Sequence, residues 1–405
     1  YINGEPISGM VELEEGITNI PARTFNNSKG LIAVSLPSTL ATIGESAFVG
    51  CDSLIEVQNH SALPISVGSS DYGLVAYYAQ NVYDDNAGAS KLDTSVPGYV
   101  FYADQDVVYL VDYTGEPTVV TLPADYQGRG YTIRDYTFIG RSDITSLDIS
   151  SNASFGGYFA LYDLIGLESL HLPYVGMTAA DAEKLNPPAF YLGYLFGSTL
   201  DDCNEVVVPE TLKTIVIKGG TTIPASAFAK CANVETITLP DEVKNIGYGV
   251  FEYCTSLKSF HVPQHVLSIG PRALTGCSSL ESITAAPGAT VDNAYTAAGN
   301  CLIIKGAVLF ACKNSVIPTD GSVTSISLGA FYDCTELTSI VIPASVTVIN
   351  ESAFVGCTNL TSVTFENPTG WSAGSTALTE DLSDAAIAAT CLKETYSTSK
   401  WTRTA

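Results

Sequence analysis

The sequence predicts a strand-rich α/β solenoid: stacked coils with one parallel β-sheet and short helical turns on the opposite wall. Three observations carry that prediction. Phenylalanines and cysteines recur at a step of 23 residues. Apolar residues hold fixed offsets around them. Prolines close the apolar runs.

The step is read directly from the anchors. Phe25 and Phe48 are 23 residues apart, as are Phe228, Phe251 and Leu274 in succession, and Phe331 and Phe354. Cys231, Cys254 and Cys277 keep the same spacing, as do Cys334 and Cys357, and Cys51 holds the equivalent place after Phe48. One pattern surrounds them: I-G-x-x-A-F-x-x-C-x-x-L-x-x-I-x-I-P. In one copy Ile326 and Ala330-Phe331 lead to Cys334, Leu337, Ile340, Ile342 and Pro343. The next runs Ile349, Ala353-Phe354, Cys357, Leu360, Val363 and Phe365. A period of about 20–29 residues with L-x-x-L-x-L spacing is the leucine-rich-repeat signature.

The offsets assign the elements. In L-x-x-I-x-I the last two apolar residues alternate, so both face one side of a short strand. Pro37, Pro173, Pro240, Pro263 and Pro343 end such strands, since proline has no N–H for a ladder. The A-F-x-x-C segment suits one helical turn on the facing wall. The V-x-x-I step before it fits a second short extended stretch. A single coil has too little core to fold alone, so coils stack and share the gain of about 1.5–3 kcal/mol per buried phenylalanine.

The pattern resembles the BspA-like bacterial leucine-rich-repeat family. The stretch LTSIVIPASVTVINESAFVGCTNLTSV, Leu337 to Val363, is nearly a pair of that family's repeats, and the resemblance covers most of residues 11–365. It implies a right-handed leucine-rich-repeat solenoid in an extracellular or cell-surface setting, with any signal or anchor outside this sequence. It also implies adhesion or binding of host or bacterial surface proteins or glycans, without chemistry, and offers no catalytic residues.

The expected organisation is one solenoid over residues 1–365 and a capping segment over 366–405. Three insertions break the step, near residues 60–130, 175–210 and 286–320. The first and third each read as a β-hairpin followed by a strand ending in proline, at Pro123 and Pro318. Eleven of the 22 tyrosines lie between Tyr72 and Tyr136. Tyrosine offers contact area with a polar tip at low entropic cost, although it also simply suits strands. Tyr77, Tyr78, Tyr83, Tyr102 and Tyr109 are therefore binding candidates. In the tail, Ser383 ahead of Asp384-Ala385-Ala386 reads as a helix N-cap. Leu382, Ala386, Ala389, Cys391 and Leu392 would cover the last coil, with Trp371 and Trp401 nearby.

Charge narrows the partners. Acids outnumber bases 42 to 18, giving −24 with neutral histidines. Such a chain repels nucleic acid and anionic membrane surfaces, and no apolar stretch reaches the roughly 20 residues of a membrane span. A monomer is expected.

The ten cysteines look like a disulfide set, but those at the repeat position point the same way, about 5 Å apart. Disulfides need converging Cβ atoms about 3.8 Å apart, so a column of buried free thiols is expected. Cys301 and Cys312 flank one hairpin, and whether they pair stays open; Cys203 and Cys391 are unmatched. No C-x-x-C motif suggests zinc, and Asp84-Asp85-Asn86-Ala87-Gly88 lacks two ligands of a calcium loop. No metal, cofactor or catalytic residue is assigned.

The remaining candidate is the sheet face. Its outward positions run Ser35, Gln58, Asp148, His171, Val216, Thr238, His261, Thr284, Val341 and Thr364. Gln58, Asp148, His171, Thr238 and His261 are its polar binding candidates. A passive spacer of a surface layer is the alternative reading, and a cysteine-dependent hydrolase a remote one.

Overall fold

The computed structural model describes residues 7–176, 192–197, 208–286 and 295–404. The second insertion and Cys203 lie largely or wholly outside them. The chain divides into two compact units, Tyr1–Leu167 with Gly193–Pro209, and Glu168–Leu192 with Glu210–Ala405.

In the first unit, the strands Ser8–Glu12, Gly30–Leu36, Glu56–Asn59 and Asn81–Tyr83 form a parallel sheet in chain order. The pair Asn19–Ile20 and Thr42–Ile43 supplies the second, shorter sheet that the V-x-x-I step predicts. The predicted hairpin is present: Tyr99–Ala103 runs antiparallel to Val108–Tyr113. It interrupts the face sheet, which resumes at Val119–Thr121 paired with Ser146–Asp148. The hairpin itself packs on the outer side of the first coils, where Ile32, Ile55, Val100, Tyr102 and Val111 make a small core of their own.

The second unit repeats the theme more regularly. Its face strands pair in parallel at Ser169–Leu172 with Thr214–Ile217, Ser259–Val262 with Ser282–Ala285, and Ser339–Ile342 with Ser362–Phe365. Short strands Thr222–Ile223, Asn245–Ile246 and Ser268–Ile269 form the second sheet. The glycine of the I-G step is needed there, because a Cβ on Gly247 would lie 2.5 Å from the Ala225 nitrogen of the preceding coil.

The wall opposite consists of single tight turns. Cys254 N–H donates to the Phe251 carbonyl three residues back, and Phe251 N–H donates at 2.9 Å to the Ala273 carbonyl of the next coil. Each turn is bounded by left-handed residues two before and two after the aromatic anchor: Ser226 and Lys230, Gly249 and Tyr253, Ser352 and Gly356. Those corners stop the turn from extending into a longer helix. The rings stack in a column, Phe228 on Phe251 at 5.7 Å and Phe331 on Phe354 at 4.7 Å.

The third insertion forms an antiparallel meander of Tyr295–Ala298, Cys301–Ile304 and Ala307–Phe310. No strand precedes Pro318, contrary to the expectation. Ser315 accounts for the difference: its hydroxyl donates to the Asn300 carbonyl at 2.7 Å and accepts the Cys312 N–H at 2.8 Å, a local bonding that replaces a ladder.

The tail closes the second unit with more than a helix. The cap residue of Ala385–Thr390 is Asp384, one residue later than expected; its carboxylate accepts from the Ala386 and Ile387 N–H groups, while Ser383 bonds Asp381. Ala386 is exposed, and Ala388 takes its expected place against the core. Trp401–Arg403 pairs antiparallel with the short strand Val348–Ile349 and with Trp371–Ala373. Both tryptophans are buried against Phe365. An antiparallel strand thus covers the edge that another coil would otherwise occupy.

Candidate functional site

The strand register of the first unit builds a continuous outward row. Glu12 pairs with Ser35, Ser35 with Gln58, and Gln58 with Tyr83. Met10, 56% exposed, and Leu92 flank the row, and together these residues line a shallow groove of about 260 Å³. A neighbouring groove of about 480 Å³ is lined by Glu12, Glu14, Glu15, His60 and Asp85 among others. Glu15 accepts the Ser38 N–H and hydroxyl, and these hydrogen bonds hold its carboxyl below the ordinary range. His60 meets Asp85 through Nδ1 at 2.8 Å. The groove is therefore acidic and suits a basic or hydroxyl-rich partner.

Glu56 fixes the insertion at this edge. It is 2% exposed and accepts from Ser90 Oγ at 2.6 Å, Lys91 N at 2.8 Å and Asn81 Nδ2 at 3.0 Å. That bonding satisfies a buried carboxylate and places Tyr83 on the face. Asp84 turns its carboxylate onto the Asn86 and Ala87 N–H groups, closing the loop that resembles a calcium-loop start.

The other candidates are dispersed. Tyr77 and Tyr78 lie on a turn, exposed and edge-to-face at 4.8 Å. Asp148 pairs with Thr121 of the strand Val119–Thr121. His171 and Thr238 belong to one row of the second unit, separated by Val216. His261 bonds the Thr284 hydroxyl at 2.8 Å. Tyr102 is corrected: it is fully buried in the hairpin core, its hydroxyl donating to the Gln80 carbonyl, and it offers no surface. Tyr109 is half-buried beside the Arg134 guanidinium. Glu12 was legible in principle, since it holds the outward slot one 23-residue step before Ser35. Met10 and Leu92 had no repeat signal.

Among the described residues nine cysteines are free, Cys301 and Cys312 included. They do more than fill space. Cys51, Cys254 and Cys357 donate Sγ–H at 3.0 Å to the carbonyls of Phe25, Phe228 and Phe331 in the preceding coil. Burial pushes the thiols of Cys231, Cys277 and Cys357 up to about 12, so they are protonated and poor nucleophiles at neutral pH.

Comparison with known proteins now adds the decisive observation. The BspA type leucine-rich-repeat region matches in six copies, over residues 8–68, 201–305 and 293–381. The chain belongs to this family. Similar solved structures include a leucine rich cell surface protein from Faecalibacterium prausnitzii A2-165, at 21% identity and TM-score 0.32 over 70% of this chain and 96% of that one. A leucine-rich repeat protein from Bacteroides ovatus shows 18% identity and TM-score 0.35 over 88% and 92%. The pneumococcal vaccine antigen PcpA shows 11% and 0.36 over 69% and 71%. No curated protein matches the chain. Among the described residues of this BspA-type protein, no helix is long and apolar enough to cross a membrane.

Proposed function

We propose that this BspA-type repeat protein acts at the bacterial surface or in secreted form, as a non-enzymatic monomer that binds a protein or glycan partner. The row Glu12, Ser35, Gln58 and Tyr83 is the contact surface in this reading. The observation that supports it is the convergence of that row with a side-chain-stapled insertion. Insertions on a repeat scaffold are where partner-specific surface is added without disturbing the core. Residues 1–365 are read as the repeat region and 366–405 as its closing segment.

The test is solid-phase binding to host-matrix proteins and to a glycan array. A Gln58→Ala/Tyr83→Ala double variant should weaken binding at least about tenfold, and raising salt should weaken it further if the acidic groove contributes. Failure of the native protein to bind any probe, with attachment unchanged on deletion, would remove the reading. The spacer alternative draws on the second unit, whose outward positions Val216, Thr238, Thr284, Val341 and Thr364 carry no charge.

A further inference from the structure

A second surface of the first unit gathers aromatic side chains from two separate stacks of coils. Coils of residues 8–83 make one stack. The other holds the strands Tyr131–Ile133 and Ala153–Phe155. Hydrogen bonds join them: the Arg134 guanidinium donates to the Asp52 carbonyl and the Ser53 hydroxyl to the Asp135 carbonyl, both at 3.3 Å. At this junction the first stack presents Tyr78 and the Lys29–Asp52 ion pair, and the second contributes the buried Tyr136 and the exposed Tyr162. Lys29 Nζ lies 5.2 Å from the centre of the Tyr136 ring, and Tyr162 meets that ring edge-on at 5.4 Å. Asp52 acts electrostatically on the Tyr78 phenol, and Asp52, Asp135, Tyr162 and Tyr78 all act on the Tyr136 phenol. Tyr77 extends the strip. Three of these rings remain 39–47% exposed.

We propose that this junction binds an uncharged oligosaccharide across Tyr78 and Tyr162. Aromatic faces carry partial negative charge and attract the slightly positive C–H faces of a pyranose. Sugar hydroxyls both donate and accept; Asp52 accepts and Lys29 donates. The two charged side chains are only 28% and 29% exposed and are held by each other, so their geometry is set before a ligand arrives. Charge selects within the class: Asp52, Asp135 and the net −24 disfavour sialylated and uronic sugars. A protein hot spot clusters in a well-packed, desolvated pocket, whereas Tyr77, Tyr78 and Tyr162 lie 39–47% exposed on an open strip and the cation is already engaged.

The experiment uses an array of neutral oligosaccharides ending in glucose, galactose, mannose or N-acetylhexosamine, beside sialylated counterparts. The intact chain should retain a neutral probe. Tyr78→Ala and Tyr162→Ala should each weaken retention at least tenfold at unchanged melting temperature, and Tyr162→Phe should weaken it less. The Gln58→Ala/Tyr83→Ala variant should retain the probe. Loss of the neutral probe in that variant, with Tyr78→Ala and Tyr162→Ala binding like native, would assign the sugar to the sheet-face groove and overturn the proposal. Retention of no neutral probe, preference for the sialylated ones, or binding within twofold of native in both alanine variants overturns the proposal. So does capture of a matrix protein through these tyrosines that free neutral sugar cannot compete.

Discussion

The coils between Thr222 and Ala285 and the insertion between Asn81 and Tyr136 solve the same problem by opposite means. Each must hold polypeptide against a neighbour. In the coils the contacts recur every 23 residues: Phe on Phe, cysteine thiol on phenylalanine carbonyl, short strand on short strand. In the insertion the contacts do not recur. A buried glutamate staples one loop, a partly buried aspartate sits in the hairpin, and Arg134 is held beside Tyr109. Periodic contacts are apolar or backbone-based and nearly insensitive to surroundings. Aperiodic ones are polar, and each depends on complete satisfaction.

The most damaging test of the periodic half is Phe251→Ala. Its ring is fully buried between Phe228 and Phe260, and truncating a buried phenylalanine costs about 3–5 kcal/mol. Urea denaturation followed by circular dichroism measures it. A loss below about 1 kcal/mol would mean that the column carries no core energy.

Glu56→Ala attacks the aperiodic half. Three donors would lose their acceptor, for a cost of about 1.5–3 kcal/mol. The effect should be local: hydrogen exchange should rise in residues 81–92 and stay unchanged around Phe251. Uniform exchange across both regions would show that the insertion is coupled to the coils more tightly than its contacts suggest.

The same contrast explains what was legible in the sequence. Strand positions, the proline ends other than Pro318, and the Phe and Cys columns follow from spacing, because each copy confirms the others, and both hairpins follow from paired apolar runs. The left-handed corners were not legible: arginine, serine, lysine, aspartate and glycine all occupy them, since solvent-facing corners tolerate many side chains. The thiol hydrogen bond was missed because composition alone makes cysteine look like a small hydrophobe. Tyr102 was misread as surface because a tyrosine-rich stretch does not reveal which rings the hairpin turns inward. The acidic groove needed the register that sets Glu12 beside Ser35.

Asp112→Asn probes the insertion from the other sign. Burial pushes the Asp112 carboxyl up to about 6 from an ordinary 3.8. A raised folded value favours the protonated form, so its contribution is present below 3.8 and lost as pH rises through 6. At pH 7 the charged aspartate therefore costs stability, and asparagine should recover about 2 kcal/mol after allowance for partial exposure. The gap between variant and native protein should close on acidification towards pH 4. A variant that is less stable at pH 7 would mean that the charge is used, through Arg141 or otherwise.

The smallest effect expected is in the cysteine column, and it separates packing from hydrogen bonding. Cys254→Ala removes one sulfur and its bond to the Phe228 carbonyl, for about 1 kcal/mol. Cys254→Ser keeps a donor but buries a more polar group, so it should be at least as costly as alanine if packing dominates, and milder if the bond does. Native thiols should resist thiol-specific reagents at pH 8 until the protein unfolds, because Cys231, Cys277 and Cys357 are held near 12. The stability of the protonated column is complete below the ordinary thiol value of 9.0 and is lost as pH rises towards about 12. Alkaline unfolding should therefore begin in the periodic coils, reversing the order that Glu56→Ala produces. Rapid labelling of more than one thiol at pH 8 in native buffer would show that the coils open far more readily than their regular packing implies.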